Sequence, residues 1–148
     1  MKDIQKIFKQ SYRRIIDADV HMSEFTEVFY RKFLGSSEEV RSKFMRTDLR
    51  RQRKMLADSF CHMNRIFEEC TVTDRIAEIA RIHQKDAHDI PEHLYELWLD
   101  ALVYAVGEID PDFNPSVELA WRMAMSPGIR FMTFCYDQEI DWLRYVDD

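Results

Sequence analysis

Five histidines are the residues best suited to metal or acid–base chemistry, namely His21, His62, His83, His88 and His93. The last three follow one another at intervals of five residues, and Pro91 lies between the second and third of these. On a continuous helix such residues diverge by about 140° and cannot share a metal ion as an i, i+4 pair would. Proline would interrupt that helix in any case. The spacing therefore gives little support to a zinc site built from histidines.

Nucleophilic and phosphate-binding motifs are also missing from the sequence. There is no G-x-S-x-G motif, and the 3 glycines are scattered, so neither a nucleophile elbow nor a glycine-rich phosphate loop is indicated. Cys61, Cys70 and Cys135 are an odd number without a C-x-x-C pair, which argues against a disulfide framework and a thiolate zinc site. The cysteines favour a reducing, cytoplasmic location. The N-terminus resembles no secretory signal, and no apolar run is long enough to span a membrane.

Composition and charge narrow the class of protein further. The 148 residues predict a single domain, residues 1–148. Hydrophobic residues make up 46%, while Gly and Pro number only 3 and 4, which favours an all-helical protein over one with many tight turns. The formal net charge of −6 argues against partners that are nucleic acids or acidic membranes.

Hydrophobic periodicity predicts about seven helices, because apolar residues recur every three to four positions and no strand-like alternation occurs. The expected helices run to about Asp17, then over Val20–Phe33, Ser37–Phe44, Thr47–Phe67, from after the connector Cys70–Asp74 to before Pro91, from Pro91 to Gly107, and from Val117 to about Tyr145. Pro91 is expected to be the first residue of its helix, and Pro127-Gly128 to kink or break the last one. The charge runs Arg13-Arg14 and Arg50-Arg51 are expected to be solvated helix faces.

The order of features along the chain resembles the globins. The features are Tyr30, then Phe44, then a helix with Gln52 and Leu56, then Ile79-Ala-Arg-Ile-His83, and finally Ile90-Pro91-Glu-His-Leu-Tyr-Glu-Leu-Trp98. The segments Phe29–Phe33 and Thr47–Leu56, and Pro127-Gly128-Ile129, look most like the single-domain and sensor-linked bacterial globins. The resemblance covers nearly the whole chain and implies a globin fold that holds haem b, iron protoporphyrin IX.

The resemblance also implies roles for particular residues. His83 would be the proximal iron ligand, with its other ring nitrogen bonded to a backbone carbonyl near Ile79. Tyr30 would donate a hydrogen bond to bound dioxygen. Gln52 would take the distal polar position, either bonding the ligand directly or accepting from Tyr30. If the distal helix were rotated by one residue, Arg51 and Met55 would replace Gln52 and Leu56. His62 competes only as a second axial ligand and is otherwise a surface or interhelical residue.

The remaining pocket residues follow from the same resemblance. An apolar lining is expected from Phe44, Leu56, Ile79, Ile90, Leu94 and Trp98, with Phe44 stacked against the porphyrin. Lys54, Arg46 and His88 are candidates to hold the haem propionates, by position only.

Three functions are compatible with such a globin. The first is reversible binding of dioxygen, and of nitric oxide or carbon monoxide, by an oxygen carrier or a gas sensor. A sensor would signal through a partner, and Tyr104, Trp121, Phe131 and Phe134 of the last two helices could build a homodimer. The second is nitric oxide dioxygenation with an external reductase. Flavohaemoglobins that catalyse it carry a Tyr–Glu pair that strengthens the proximal histidine. Here Leu94, not Tyr95, falls at the matching place of the tyrosine, and Glu118 and Glu139 are the alternatives for the acid. The third is a haem-free signalling module.

Overall fold

The computed structural model describes residues 3–17 and 19–138, and within them the chain is all-helical. The helices are α1 (Ile4–Tyr12), α2 (Asp19–Leu34), α3 (Glu38–Lys43), α4 (Leu49–Glu69), α5 (Asp74–Ile82), α6 (Glu92–Ile109) and α7 (Pro115–Cys135), with a π-helical turn at Arg13–Asp17. The expected number of helices is therefore confirmed. In the described part of the chain, no helix is long and apolar enough to cross a bilayer.

Short polar side chains fix where several helices begin. Asp48 accepts hydrogen bonds from the backbone N–H groups of Arg50 and Arg51 at the start of α4. Ser37 caps α3 and Thr73 caps α5 in the same way. These caps satisfy N–H groups that have no partner inside a helix. The sequence therefore determines locally where the helices that surround the central cavity start.

Several predicted helix ends are wrong by a few residues. Pro91 is not the first residue of α6 but its N-cap, because its ψ of 164° is extended, and α6 continues through Gly107 to Ile109. The last helix starts at Pro115, two residues before the predicted Val117, because Asn114 caps it and proline needs no N–H there.

The last helix also differs in its middle and at its end. The helical conformation of α7 continues through Pro127, so the chain is not broken there. The helix ends at Cys135, short of the predicted Tyr145, which lies outside the described residues.

Gly128 allows α7 to pack closely on α4. A Cβ atom at this position would lie 2.9, 3.1 and 3.2 Å from Cε, Cγ and Cβ of Met63. Met63 is buried, and its Cβ cannot move away without its backbone. The two helices therefore meet at a distance that only glycine permits.

We expect Gly128→Ala to lower the free energy of unfolding by about 1–2 kcal/mol, because overpacking outweighs the gain in helix propensity. Gly107→Ala is the matched control, since its Cβ would contact the Phe113 ring at an ordinary 3.5 Å. The control should be stabilised by up to about 1 kcal/mol. Urea unfolding of both variants measures the difference, and equal effects would rule out the close contact as the cause.

A buried polar network joins the N-terminal helices to the α6–α7 corner. The Asp110 carboxylate accepts hydrogen bonds from Ser11 at 2.6 Å and from two nitrogens of Arg14 at 2.6 and 2.8 Å. Trp121 donates to the Ser11 hydroxyl at 2.8 Å. Burial raises the pKa of Asp110, but the hydrogen bonds from Arg14 and Ser11 outweigh it and hold that pKa below 3.8. The prediction that Arg14 belongs to a solvated face is therefore wrong.

Candidate functional site

One cavity lies among α2, α4, α5 and α6, and it encloses about 890 Å³ including its mouth. The wall includes the predicted iron ligand, distal residues and apolar lining: Tyr30, Phe44, Gln52, Leu56, Ile79, His83, Ile90, Leu94 and Trp98. The fold thus brings all of these residues together, while their chemical roles stay predictions.

His83 directly follows α5 and is held by the last turn of that helix. Its ring nitrogen Nδ1 lies 2.7 Å from the carbonyl oxygen of Ile79. Because a carbonyl oxygen only accepts, Nδ1 carries the proton, and the lone pair of the neutral ring is on Nε2. Burial lowers the pKa of His83, although the bond to Ile79 opposes this, so the ring stays neutral at physiological pH. A neutral imidazole with its other nitrogen fixed to a carbonyl is a suitable axial ligand for haem iron.

Tyr30 and Gln52 form a second wall of the cavity. The buried Tyr30 hydroxyl donates a hydrogen bond to the backbone carbonyl of Gln52 at 3.2 Å. Burial raises the pKa of Tyr30, so its hydroxyl remains protonated and able to donate. We call this the distal wall, and the wall that holds His83 the proximal wall.

The orientation of α4 decides which residues of that helix reach the cavity. Gln52 and Leu56 line it, and so does Met55, whereas Arg51 is exposed. Helix α4 therefore has the orientation favoured from the sequence, in which Gln52 and Leu56 face the cavity, and Met55 lines the cavity as well. The Gln52 side chain does not bond Tyr30, because it is the Gln52 backbone carbonyl that accepts from that phenol.

Aromatic rings pack behind the distal wall. Phe44 caps the C-terminus of α3 and lies edge-on to Tyr30 and Phe33, with ring centroids 6.1 and 5.7 Å apart. Trp98 contributes from α6 and is in edge contact with Phe29 at 6.1 Å. These contacts keep the cavity open and apolar, with polar groups at few points, as ligand pockets generally are.

The cationic side chain in the cavity wall is not one of those predicted to hold the haem propionates. Lys43, at the end of α3, lines the cavity, whereas Lys54, Arg46 and His88 do not. The Lys43 ammonium donates to the backbone carbonyl of His88 at 3.2 Å and lies 3.8 Å from the carboxylate of Asp89. The sequence missed Lys43 because positions near the end of a short helix give no periodicity from which to infer direction.

Tyr95 also lines the cavity, although the sequence predicts no role for it. Its ring is nearly parallel to the His83 imidazole, with an interplanar angle of 28° and centroids 6.5 Å apart. The statement that Leu94 rather than Tyr95 takes the place beside the proximal histidine is therefore wrong, since both line the cavity and Tyr95 is the one that stacks on His83. The feature of the sequence that could have indicated Tyr95 is its position on the broad apolar face of α6, where the residue is buried.

The loop after His83 is fastened to the end of α7. The Gln84 amide donates to the backbone carbonyls of Cys135 at 2.9 Å and Gln138 at 3.0 Å. The backbone N–H of Lys85 donates to the Tyr136 carbonyl at 2.9 Å. These bonds anchor the residues next to His83, and so they position the imidazole from outside the cavity.

The other histidines lie outside the cavity wall or outside the described side chains. His62 Nδ1 is 2.8 Å from the Thr73 hydroxyl, which makes His62 the interhelical residue that the sequence predicted. His93 is paired with Glu39 at 2.6 Å, and His88 is exposed. The side chain of His21 lies outside the described structure.

In its described residues the chain is all-helical, with an apolar cavity that has a half-buried histidine on one wall and a buried phenol on another, an arrangement that suits a bound cofactor. A scan against models of protein families and a search of curated proteins gave no match. Among solved structures, a crystal structure of a Pseudomonas aeruginosa PAO1 protein, described as structurally highly homologous to a human hemoglobin, matches with a TM-score of 0.82. The two sequences are 32% identical over 92% of this chain and 100% of that one. The chain belongs to the globin family.

Proposed function

We propose that this globin binds haem b and, through it, dioxygen reversibly. The observation that supports this most directly is His83 in the cavity wall, with Nδ1 bonded to the Ile79 carbonyl at 2.7 Å and Nε2 left as the free nitrogen. A haem-free signalling module would need neither the histidine nor the phenol that line this cavity. Haem supplies a ferrous iron, which binds diatomic gases.

The residues around the cavity suit this cofactor. His83 would be the protein ligand of the iron, and the apolar groups of Phe44, Ile90 and Leu94 would contact the porphyrin. Lys43 is the cation that would face a propionate, because it lines the cavity and the nominated cations do not. A neutral His83 and a protonated Tyr30 are the states that ligation and hydrogen-bond donation require.

Haem binding is tested by spectroscopy of the purified protein. Titration of the haem-free protein with haemin should produce a sharp Soret band that saturates at one equivalent, and dithionite followed by carbon monoxide should shift it. A titration without saturation, or a spectrum identical to that of free haemin, would contradict the proposal.

We expect Tyr30→Phe to retain haem but to release dioxygen about three- to tenfold faster. The effect is limited because the hydroxyl must leave the Gln52 carbonyl, at 3.2 Å, before it donates to the gas. Stopped-flow displacement of dioxygen by carbon monoxide gives the rate. Tyr104→Phe, on the exposed face of α6, is the control and should leave the rate unchanged. An unchanged rate in Tyr30→Phe would mean that Tyr30 is not the distal donor.

Within the globins, we propose that the chain is nearest to the sensor-type group and that it acts as an oxygen carrier or a gas sensor. A sensor would need a signalling partner, and a homodimer through α6 and α7 is one candidate. The exposed side chains that support it are Tyr104, Leu119, Met123 and Phe134. Trp121 cannot take part, because it is fully buried. Sedimentation at tens of micromolar tests the dimer, and a monomer there would exclude it.

The cytoplasm is the proposed location. Cys61, Cys70 and Cys135 are all free thiols, and two of them are exposed, which suits a reducing compartment. Such a compartment would also supply a reductase partner to keep the iron ferrous.

A further inference from the structure

The Tyr95 hydroxyl is buried without a hydrogen-bond partner. Only 6% of this residue is exposed, and its oxygen has no hydrogen-bond partner within residues 3–17 and 19–138. Tyr30 differs, since its hydroxyl, in the same cavity, donates to the Gln52 carbonyl. Buried hydroxyl groups are almost always paired, so an unpaired one next to a cavity calls for a partner that enters the cavity.

The protein groups around Tyr95 are poor candidates for that partner. The imidazole of His83 is stacked on the Tyr95 ring and its Nδ1 is already bonded to Ile79. The nearby Cys135 has a thiol whose pKa burial raises to about 11, so it is neutral and a weak acceptor. Met132, which also lines the cavity, offers only a thioether.

Tyr95 itself is in the state needed to donate. Burial raises its pKa, with a smaller contribution from Cys135, so the phenol remains protonated. Its ring is fixed by packing in the proximal wall, because the residue is buried on α6 and stacked on His83. A neutral donor in the cavity wall is therefore without an acceptor among the described residues.

We propose that Tyr95 is a cofactor-holding residue of the proximal wall. Its hydroxyl donates a hydrogen bond to an oxygen acceptor that enters with haem, either a carboxylate of the cofactor or a water molecule enclosed with it. This inference rests on the proposed function, since it requires haem in the cavity. It assigns to Tyr95 a role in retaining the cofactor that is separate from the iron ligation by His83.

The test compares Tyr95→Phe with Tyr30→Phe, because the two phenols share a cavity and only one is paired within the protein. In the haem-free state, Tyr95→Phe should raise the midpoint of thermal unfolding by up to about 4 °C, because an unpaired buried hydroxyl is removed. Tyr30→Phe should lower it by about 2–4 °C, because a hydrogen bond is lost. A lowered midpoint in Tyr95→Phe would reveal a partner within the protein and overturn the proposal.

In the haem-loaded state the effect of Tyr95→Phe should change sign, from stabilising the protein to weakening its hold on haem. Tyr95→Phe should lose haem to an excess of a haem-scavenging apoprotein about three- to tenfold faster than wild type. An unchanged rate would overturn the role of Tyr95, while a Soret band in the wild type would leave the proposed function intact. A wild-type protein that takes up no haem would instead overturn the proposed function, and this inference with it.

Loading both proteins with the dimethyl ester of haem identifies the acceptor. If Tyr95 donates to a carboxylate, esterification should remove most of the difference between wild type and Tyr95→Phe. If it donates to an enclosed water, the difference should persist. Either result supports a partner that enters with the cofactor.

Discussion

Haem is expected to leave the His83→Ala variant at least about 100-fold faster than it leaves the wild-type protein. Loss of a residue that merely orients a metal ligand costs about 10- to 100-fold in affinity, and here the ligand itself is removed. The prediction follows from His83, the one histidine that lines the cavity within the described part of the chain, whose free nitrogen is Nε2. Transfer of haem to a scavenging apoprotein, followed at the Soret band, measures the rate.

Two controls separate ligation from loss of folding. His62→Ala removes a histidine that bonds Thr73 outside the cavity wall, and it should retain haem as the wild type does. Added imidazole should restore the Soret spectrum of His83→Ala, because the truncated side chain leaves room for the free ring. If His83→Ala retained haem at the wild-type rate, the iron ligand would have to be another residue.

Most of the fold was predictable because its signals are local. Asp48 and Thr73 cap α4 and α5 through bonds that span only two or three residues, and these were visible as sequence patterns. The bond from His83 to the Ile79 carbonyl also spans four residues and follows from helical geometry. Candidate site residues were found in the same way, since the order Tyr30, Phe44, His83 and Pro91 needs no knowledge of packing.

Interactions between distant parts of the chain were not predictable. Ser11 and Asp110 are 99 residues apart, and Gln84 reaches Gln138 across 54 residues. In the sequence, a charged residue such as Arg14 cannot be distinguished from an exposed helix residue, because only the packing of the helices shows that Asp110 is its partner. The role of Tyr95 was not predictable for a related reason. Burial of its ring was foreseeable from the apolar face of α6, but the missing partner of its hydroxyl is a property of the folded cavity.

Asp110→Ala should lower the free energy of unfolding by about 3 kcal/mol, the second large effect that we expect. The Asp110 side chain is fully buried, and its removal leaves the Ser11 hydroxyl and the Arg14 guanidinium without their shared acceptor. The cost lies at the low end for a broken buried ion pair, because Arg14 is 28% exposed and can be hydrated. Urea unfolding at pH 7 measures it.

Asp112→Ala is the matched control, since Asp112 lies 3.6 Å from the same guanidinium but is 71% exposed. Its removal should cost less than about 1 kcal/mol.

A second check of the role of Asp110 uses pH. Because the pKa of Asp110 in the folded state lies below 3.8, its stabilisation is complete above the unfolded-state pKa and is lost as the pH falls through the folded-state pKa. Asp110→Asn should therefore lose less stability than wild type on acidification below about pH 4. Equal acid sensitivity in wild type and Asp110→Asn would show that the Asp110 carboxylate is not the source of this pH-dependent stability, even if Asp110→Ala is destabilised at pH 7.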